Sequence, residues 1–286
     1  MQWRGRRESS NVEDRRGVPA KGLALGGGGI GTLLIIGLFW LLGGDIGQVA
    51  QMQQQAGGPP AANRPASEDD EAKDFLEVVL ADTEDVWRAQ FEQHYPRPYQ
   101  DTTLVMFTGA VDSGCGRASS GVGPFYCPAD RQVYIDPSFF TQLKRQLGAP
   151  GDFAAAYVVA HEVGHHVQNL LGYSDRVNAV RRGGNELEIN RASVRLELQA
   201  DFLAGVWAHH GQKEKRFLEE GDIEEALNAA SKIGDDTLQR QATGSVNPDG
   251  FTHGTSEQRV RWFRRGFETG DLSLLDQPFQ LPYDRL

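Results

Sequence analysis

Apolar positions along this chain fall into three patterns. One is an uncharged, glycine-rich run at residues 22–44, strongly apolar from Ile30 to Leu42. A second recurs at helical spacing: Phe75, Leu76, Val79, Leu80, Val86 and Trp87 predict a helix that is interrupted near Asp82. Pro96 and Pro98 end it. The third pattern is β-branched and predicts strands at 102–111 and 132–136. Helices come next. The spacing predicts them over 138–148, over 152–171 with Asp152 as N-cap and Gly172 as stop, and over 185–210. Another starts at Asp222, where Glu225 completes a capping box, and the last covers 256–268. No repeat is visible. A few strands succeeded mainly by helices predict an α+β fold.

Charge divides the chain. Residues 1–21 carry six Lys/Arg against three acids, and the run 22–44 carries no charge over 23 residues. The whole chain is at −10, so its acidity lies in the C-terminal body. An acidic body excludes nucleic acid as the expected partner, since phosphate contacts need a basic surface. Twenty-three uncharged residues suffice to cross a bilayer core as a helix. A buried core helix and a cleaved signal peptide are the other readings. The long polar lead and the lack of an A-x-A site favour an uncleaved transmembrane anchor. The preceding basic residues then put the N-terminus in the cytoplasm and the body outside. Residues 45–67, rich in Gln, Gly, Pro and Ala, read as a tether. The expected organisation is therefore a basic terminus at 1–21, an anchor at 22–44, a linker at 45–67 and one domain at 68–286.

Cys115 and Cys127 are the only cysteines and lie in a Gly/Ser/Pro-rich stretch. Outside the cytoplasm an even count favours a disulfide. A metal-binding pair is the alternative, at a spacing wide for a zinc knuckle.

The chemistry centres on "VVAHEVGHHVQNLLG". His161, Glu162 and His165 spell H-E-x-x-H. Four residues apart on a helix, the two imidazoles lie about 40° apart and can face one ion. Glu162, about 100° from His161, can reach a water held by that ion. Apolar neighbours disfavour the rival reading of a solvated helix face. His166 lies about 140° from His161, so it reads as a hydrogen-bonded residue rather than a ligand.

Catalytic zinc takes three protein ligands and a water. Glu197 in "RLELQADFLAG" is the best third ligand, with Asp201 one turn on to hold the N–H of a ligand histidine. Ala200, Ala204 and Gly205 would let this helix approach the first. The rival reading makes both acids surface charges paired with Arg191 or Arg195. Glu186 and Glu188 are weaker candidate ligands. His253 stands just before the last helix, which Thr255 or Ser256 would cap. It reads equally as a donor to an oxyanion and as a capping-loop histidine. Arg259 could serve the same helix end or a salt bridge.

The chain resembles the bacterial family known as "putative neutral zinc metallopeptidase". The resemblance rests on "MQWRGRRESSNVEDRR", "CGRASSGVGPFYCPADRQVYIDPSFF", "VVAHEVGHHVQ", "RLELQADFLAGVWAHH" and "HGTSEQRVRWFRRGF", and so covers nearly the whole chain. It implies a membrane-anchored zincin-like fold and peptidase activity on peptides or proteins, with no particular substrate. HExxH…ExxxD is also similar to the gluzincin type, which implies Glu197 as third zinc ligand and Asp201 as the residue orienting a ligand histidine. Zincin-like folds further imply that the strand at 132–136 borders the cleft and pairs with peptide. Two other functions stand beside the peptidase: a membrane-tethered zinc-containing binding or assembly factor, and a zinc amidase acting on cell-wall peptides. Oligomeric state is not legible.

Overall fold

In the computed structural model, residues 1–17 and 66–286 are described. The apolar run at 22–44 and the tether up to residue 65 lie outside the described residues. No helix among the described residues is long and apolar enough to cross a membrane.

The first long helix, α1, covers Ala66–His94 without a break and begins slightly earlier than the predicted domain boundary. Its apolar stripe from Phe75 to Trp87 is buried. Asp82 does not interrupt it, because Arg6 and Lys215 reach its carboxylate at 2.6 and 2.9 Å. Two cationic partners supply what solvent would otherwise give a buried acid.

Four strands form the main sheet in the order β1-β2-β6-β5. They are β1 (Val12–Asp14), β2 (Thr103–Met106), β5 (Phe125–Cys127) and β6 (Gln132–Ile135). β1–β2 and β2–β6 are parallel, while β5–β6 is antiparallel. The predicted strand at 102–111 is in fact two. The chain turns at Gly109, whose φ of 76° suits glycine, and continues as β3 (Ala110–Ser113). β3 pairs with β4 (Gly116–Ser119) in a separate hairpin. The 132–136 expectation also needs correction. β6 lies inside the sheet with β2 and β5 on either side, so it has no free edge. β5 ends the sheet on one side and β1 on the other. A Cys115–Cys127 disulfide ties β5 to the β3–β4 hairpin.

The remaining elements are helical. They comprise α2 (Ser138–Arg145), α3 (Asp152–Leu171), α4 (Tyr173–Gly183), α5 (Glu186–Lys215), α6 (Asp222–Lys232), α7 (Asp235–Thr243), α8 (Ser256–Thr269) and the single turn α9 (Gln277–Gln280). Two caps differ from expectation. Gly151 and Gly221, with φ of 118° and 96°, precede α3 and α6 in place of Asp152 and Asp222. The displaced acids are used elsewhere. Asp152 meets the Met1 amino group at 2.6 Å, and Glu225 accepts the Phe153 N–H at 3.1 Å. α3 does stop at a left-handed Gly172. Asn185 with Glu188 and Thr255 with Gln258 form complete capping boxes at α5 and α8. Glu188 therefore belongs to a cap. α4 and α7 were not anticipated: their stretches are short and polar.

The site depends on how closely three helices approach. A Cβ at Gly164 would lie 3.1 Å from the Ala200 carbonyl oxygen, so α3 and α5 meet there. Gly205 does not face α3 as expected but α8, where a Cβ would fall 2.1 Å from the Phe263 oxygen. Gly266 mirrors it against Phe202 at 2.0 Å. Backbone touches backbone at this crossing, which brings Arg259 on α8 onto Asp201 on α5.

Candidate metal centre

His161 and His165 project from the middle of α3, one turn apart, with ring centroids 4.8 Å from each other. Glu197 approaches from α5. Its Oε2 lies 3.1 Å from His161 Nε2, and its Oε1 lies 3.5 Å from His165 Nε2. The three donor atoms all fall within 4.8 Å of one another. Tetrahedral zinc with ligand distances near 2.0–2.2 Å separates neighbouring donors by roughly 3.3 Å. The two His–Glu separations bracket that value, and the donor set of two imidazoles and a carboxylate is one zinc accepts. The residues fit the metal.

The opposite side of each imidazole is engaged. His161 Nδ1 is 2.8 Å from Asp201 Oδ1, and His165 Nδ1 is 2.8 Å from Gln168 Oε1. Both partners accept, so each Nδ1 carries the proton and each Nε2 is left to bind. Asp201 is itself surrounded. Tyr157 donates its hydroxyl to Oδ1 at 2.6 Å, and Arg259 donates to both oxygens at 3.0 and 2.9 Å. Asp201 and Arg259 are both buried. The reading of Glu197 and Asp201 as surface charges on Arg191 or Arg195 is thus overturned. Arg191 lies over the Tyr283 ring, and Arg195 donates to the Pro278 and Leu281 carbonyls.

Gln168 extends the support outward. It donates to the Leu196 carbonyl at 2.6 Å and to Gln199 at 2.9 Å, and Gln199 donates to the Leu275 carbonyl. Sequence reasoning missed Gln168 and Tyr157. Their signal was available: they lie three residues after His165 and four before His161, on the ligand face of one helix. Arg259 was noticed without a role, because its partner is 58 residues away.

Electrostatics favour a cation at the centre. Burial works against the Glu197 and Asp201 charges, yet His165 and His161 hold Glu197 well below the usual carboxylate range, and Arg259 and His161 lower Asp201. Burial would lower the His161 pKa as well, but Asp201 and Glu197 outweigh it and raise it to about 10. An imidazole between two carboxylates needs positive charge on its Nε2 side, which a proton or a metal ion can provide.

Glu162, 8% exposed, has no hydrogen bond or ion pair among the described residues. It is a carboxylate beside the centre with no structural partner. His166 turns away, as helical geometry predicts. It is buried, its Nε2 donates to the Gln100 carbonyl at 2.6 Å, and its Nδ1 receives the Tyr126 hydroxyl at 3.0 Å. Burial lowers its pKa to about 4, so it is neutral.

His253 is fixed by a residue the sequence did not reveal. Asp235 accepts the backbone N–H groups of Thr252, His253 and Gly254, at 2.7, 2.6 and 3.0 Å. Its other oxygen lies 3.1 Å from His253 Nδ1. Burial disfavours the His253 charge, but Asp235 and the nearby Glu197 raise its pKa.

The model of the family described as "Putative neutral zinc metallopeptidase" matches residues 1–277. The chain belongs to that family. An Escherichia coli K12 relative, "Uncharacterized protein YpfJ", is 50% identical over 284 residues, covering 95% of this chain and 96% of its own. A Mycobacterium tuberculosis H37Rv relative, "Uncharacterized protein Rv2575", is 46% identical over 192 residues, covering 64% of this chain and 62% of its own. No solved structure matches the chain.

Proposed function

We propose that the protein is a zinc-dependent peptidase in which His161, His165 and Glu197 hold the metal and Glu162 moves the proton. One observation carries this reading: three converged donors, with both Nδ1 atoms occupied, stand beside an acid that has no other partner among the described residues. A site kept only for structure closes its fourth position with a protein ligand. The two cysteines that could do so are joined to each other.

Zinc, when bound here, supplies Lewis acidity toward a scissile carbonyl and lowers the pKa of water. Glu162 accepts a proton from the attacking water and passes it to the leaving amine. Asp201 and Gln168 hold the ligand imidazoles in the tautomer and orientation that binding needs. His253, held by Asp235 and kept rich in protons, donates to the oxygen on which charge develops. An extended peptide or protein segment pairs with the outer edge of β5, an end strand. The apolar run at 22–44 brings the enzyme to a membrane, and the disulfide suits a domain working outside the cytoplasm.

The test is zinc content and cleavage of an unfolded protein by the full chain, wild type against Glu162→Gln. Retained zinc with activity reduced at least 100-fold is expected. A Glu162→Gln protein that keeps zinc and cleaves like the wild type would remove the mechanism. Zinc-loaded wild type that cleaves wall fragments and no protein would reassign the substrate.

A further inference from the structure

Residues 1–17 are an element of the domain. β1 pairs with β2 through three register positions, and Leu104 and Arg15 make flanking backbone bonds across the same pair. Met1 and Trp3 are buried in the main core, with Trp3 edge-on to Phe75 at 5.5 Å. The domain has a socket made for this segment. Glu84 on α1 is 1% exposed, and its carboxylate receives Arg7 at 3.0 Å, Asn11 at 2.7 Å and the Ser9 hydroxyl. Outside that segment only Arg88 comes near, at 3.7 Å. Without residues 7–11 the domain would bury a carboxylate with one distant partner, a costly arrangement.

The arginines that predict a cytoplasmic terminus are already engaged by acids of the fold. Arg4 pairs with Glu71, Arg6 with Asp82, Arg7 with Glu84 and Asp85, Arg15 with Glu13 and Arg16 with Asp14. These ion pairs tie the arginines into the folded domain.

A single bilayer crossing puts the two flanks of the crossing segment on opposite sides of the membrane. Here both flanks share one sheet. A return crossing would fall to residues 45–65, which include Asp45, five glutamines, three prolines and Arg64. Such a stretch cannot satisfy its backbone or hide its polar groups in hydrocarbon. We propose that residues 1–17 and 66–286 lie on the same side of the membrane. This inference depends on membrane entry of 22–44 and is independent of the zinc chemistry.

The test uses the full chain, expressed in a Gram-negative host and recovered in the membrane fraction. Ser10 and Asp284 are exposed, so Ser10→Cys and Asp284→Cys each add one reactive thiol to a chain whose own cysteines are paired. A membrane-impermeant maleimide is applied to intact spheroplasts and to lysed ones. The expected result is matching behaviour: both thiols react before lysis, or both only after it. One thiol reacting before lysis and the other only after would overturn the proposal. Recovery of the chain in the soluble fraction would overturn it as well.

Discussion

Asp201 Oδ1 lies 2.8 Å from His161 Nδ1, and the same carboxylate receives two N–H bonds from Arg259. A candidate ligand histidine on α3 is thus oriented by an acid on α5 that is neutralised from α8. Removing the acid has two separable effects. Asp201→Ala leaves the Arg259 charge buried and unpaired, which costs roughly 3–5 kcal/mol in urea unfolding. Asp201→Asn keeps the volume and loses the charge, and zinc affinity measured by chelator competition should fall about 10–100-fold. Unchanged affinity in Asp201→Asn would separate the acid from the metal site.

Gln168 does the same work for His165 without a charge. Gln168→Leu frees His165 Nδ1 and also removes one donor each from the Leu196 carbonyl and Gln199 Oε1. Zinc affinity is expected to drop within the same about 10–100-fold range. A variant that binds zinc like the wild type would show that His165 needs no orienting partner.

The Asp235–His253 pair makes a pH-dependent contribution to stability. His253 is raised above its ordinary 6.5, so its share is present in full below that pH and is lost as pH rises through the folded-state value. Asp235 is lowered, because its partners outweigh the burial that opposes its charge. Its share is present above about 4 and is lost as pH falls through the folded value. Urea midpoints should therefore decline on the alkaline side of about 6.5 more steeply in the wild type than in Asp235→Asn. Parallel curves above that pH would show that the pair contributes nothing there.

Gly205→Ala tests the α5–α8 crossing. The added methyl would meet the Phe263 carbonyl oxygen at 2.1 Å, where backbone must move. Destabilisation of about 1–3 kcal/mol or more is expected, and because α8 carries Arg259, zinc affinity should weaken in parallel. A variant as stable as the wild type would mean that the crossing can open without loss.

The convergence of His161, His165 and Glu197 was legible because its parts are local. HExxH places two imidazoles within one turn, and Glu197–Asp201 places two acids within another. The α+β class and the long helices came from apolar periodicity. What escaped depends on distance along the chain. Nothing near Val12 announces a strand, since its partner is at Leu104. Nothing near Asp235 announces that three N–H groups from residues 252–254 converge on it. The two displaced N-caps show a related effect: Asp152 and Asp222 suit a cap by composition, but the Met1 amino group draws their carboxylates inward. The expected break at Asp82 failed for the same reason, as partners from residues 6 and 215 make the acid compatible with a helix interior.

The three-helix origin of the centre also sets when in synthesis it can exist. A chain ending before residue 256 would carry HExxH and Glu197 together, yet it would hold Asp201 against α3 with no guanidinium to neutralise it. The full set of contacts around Asp201 is therefore complete only in a chain made through α8, which carries Arg259.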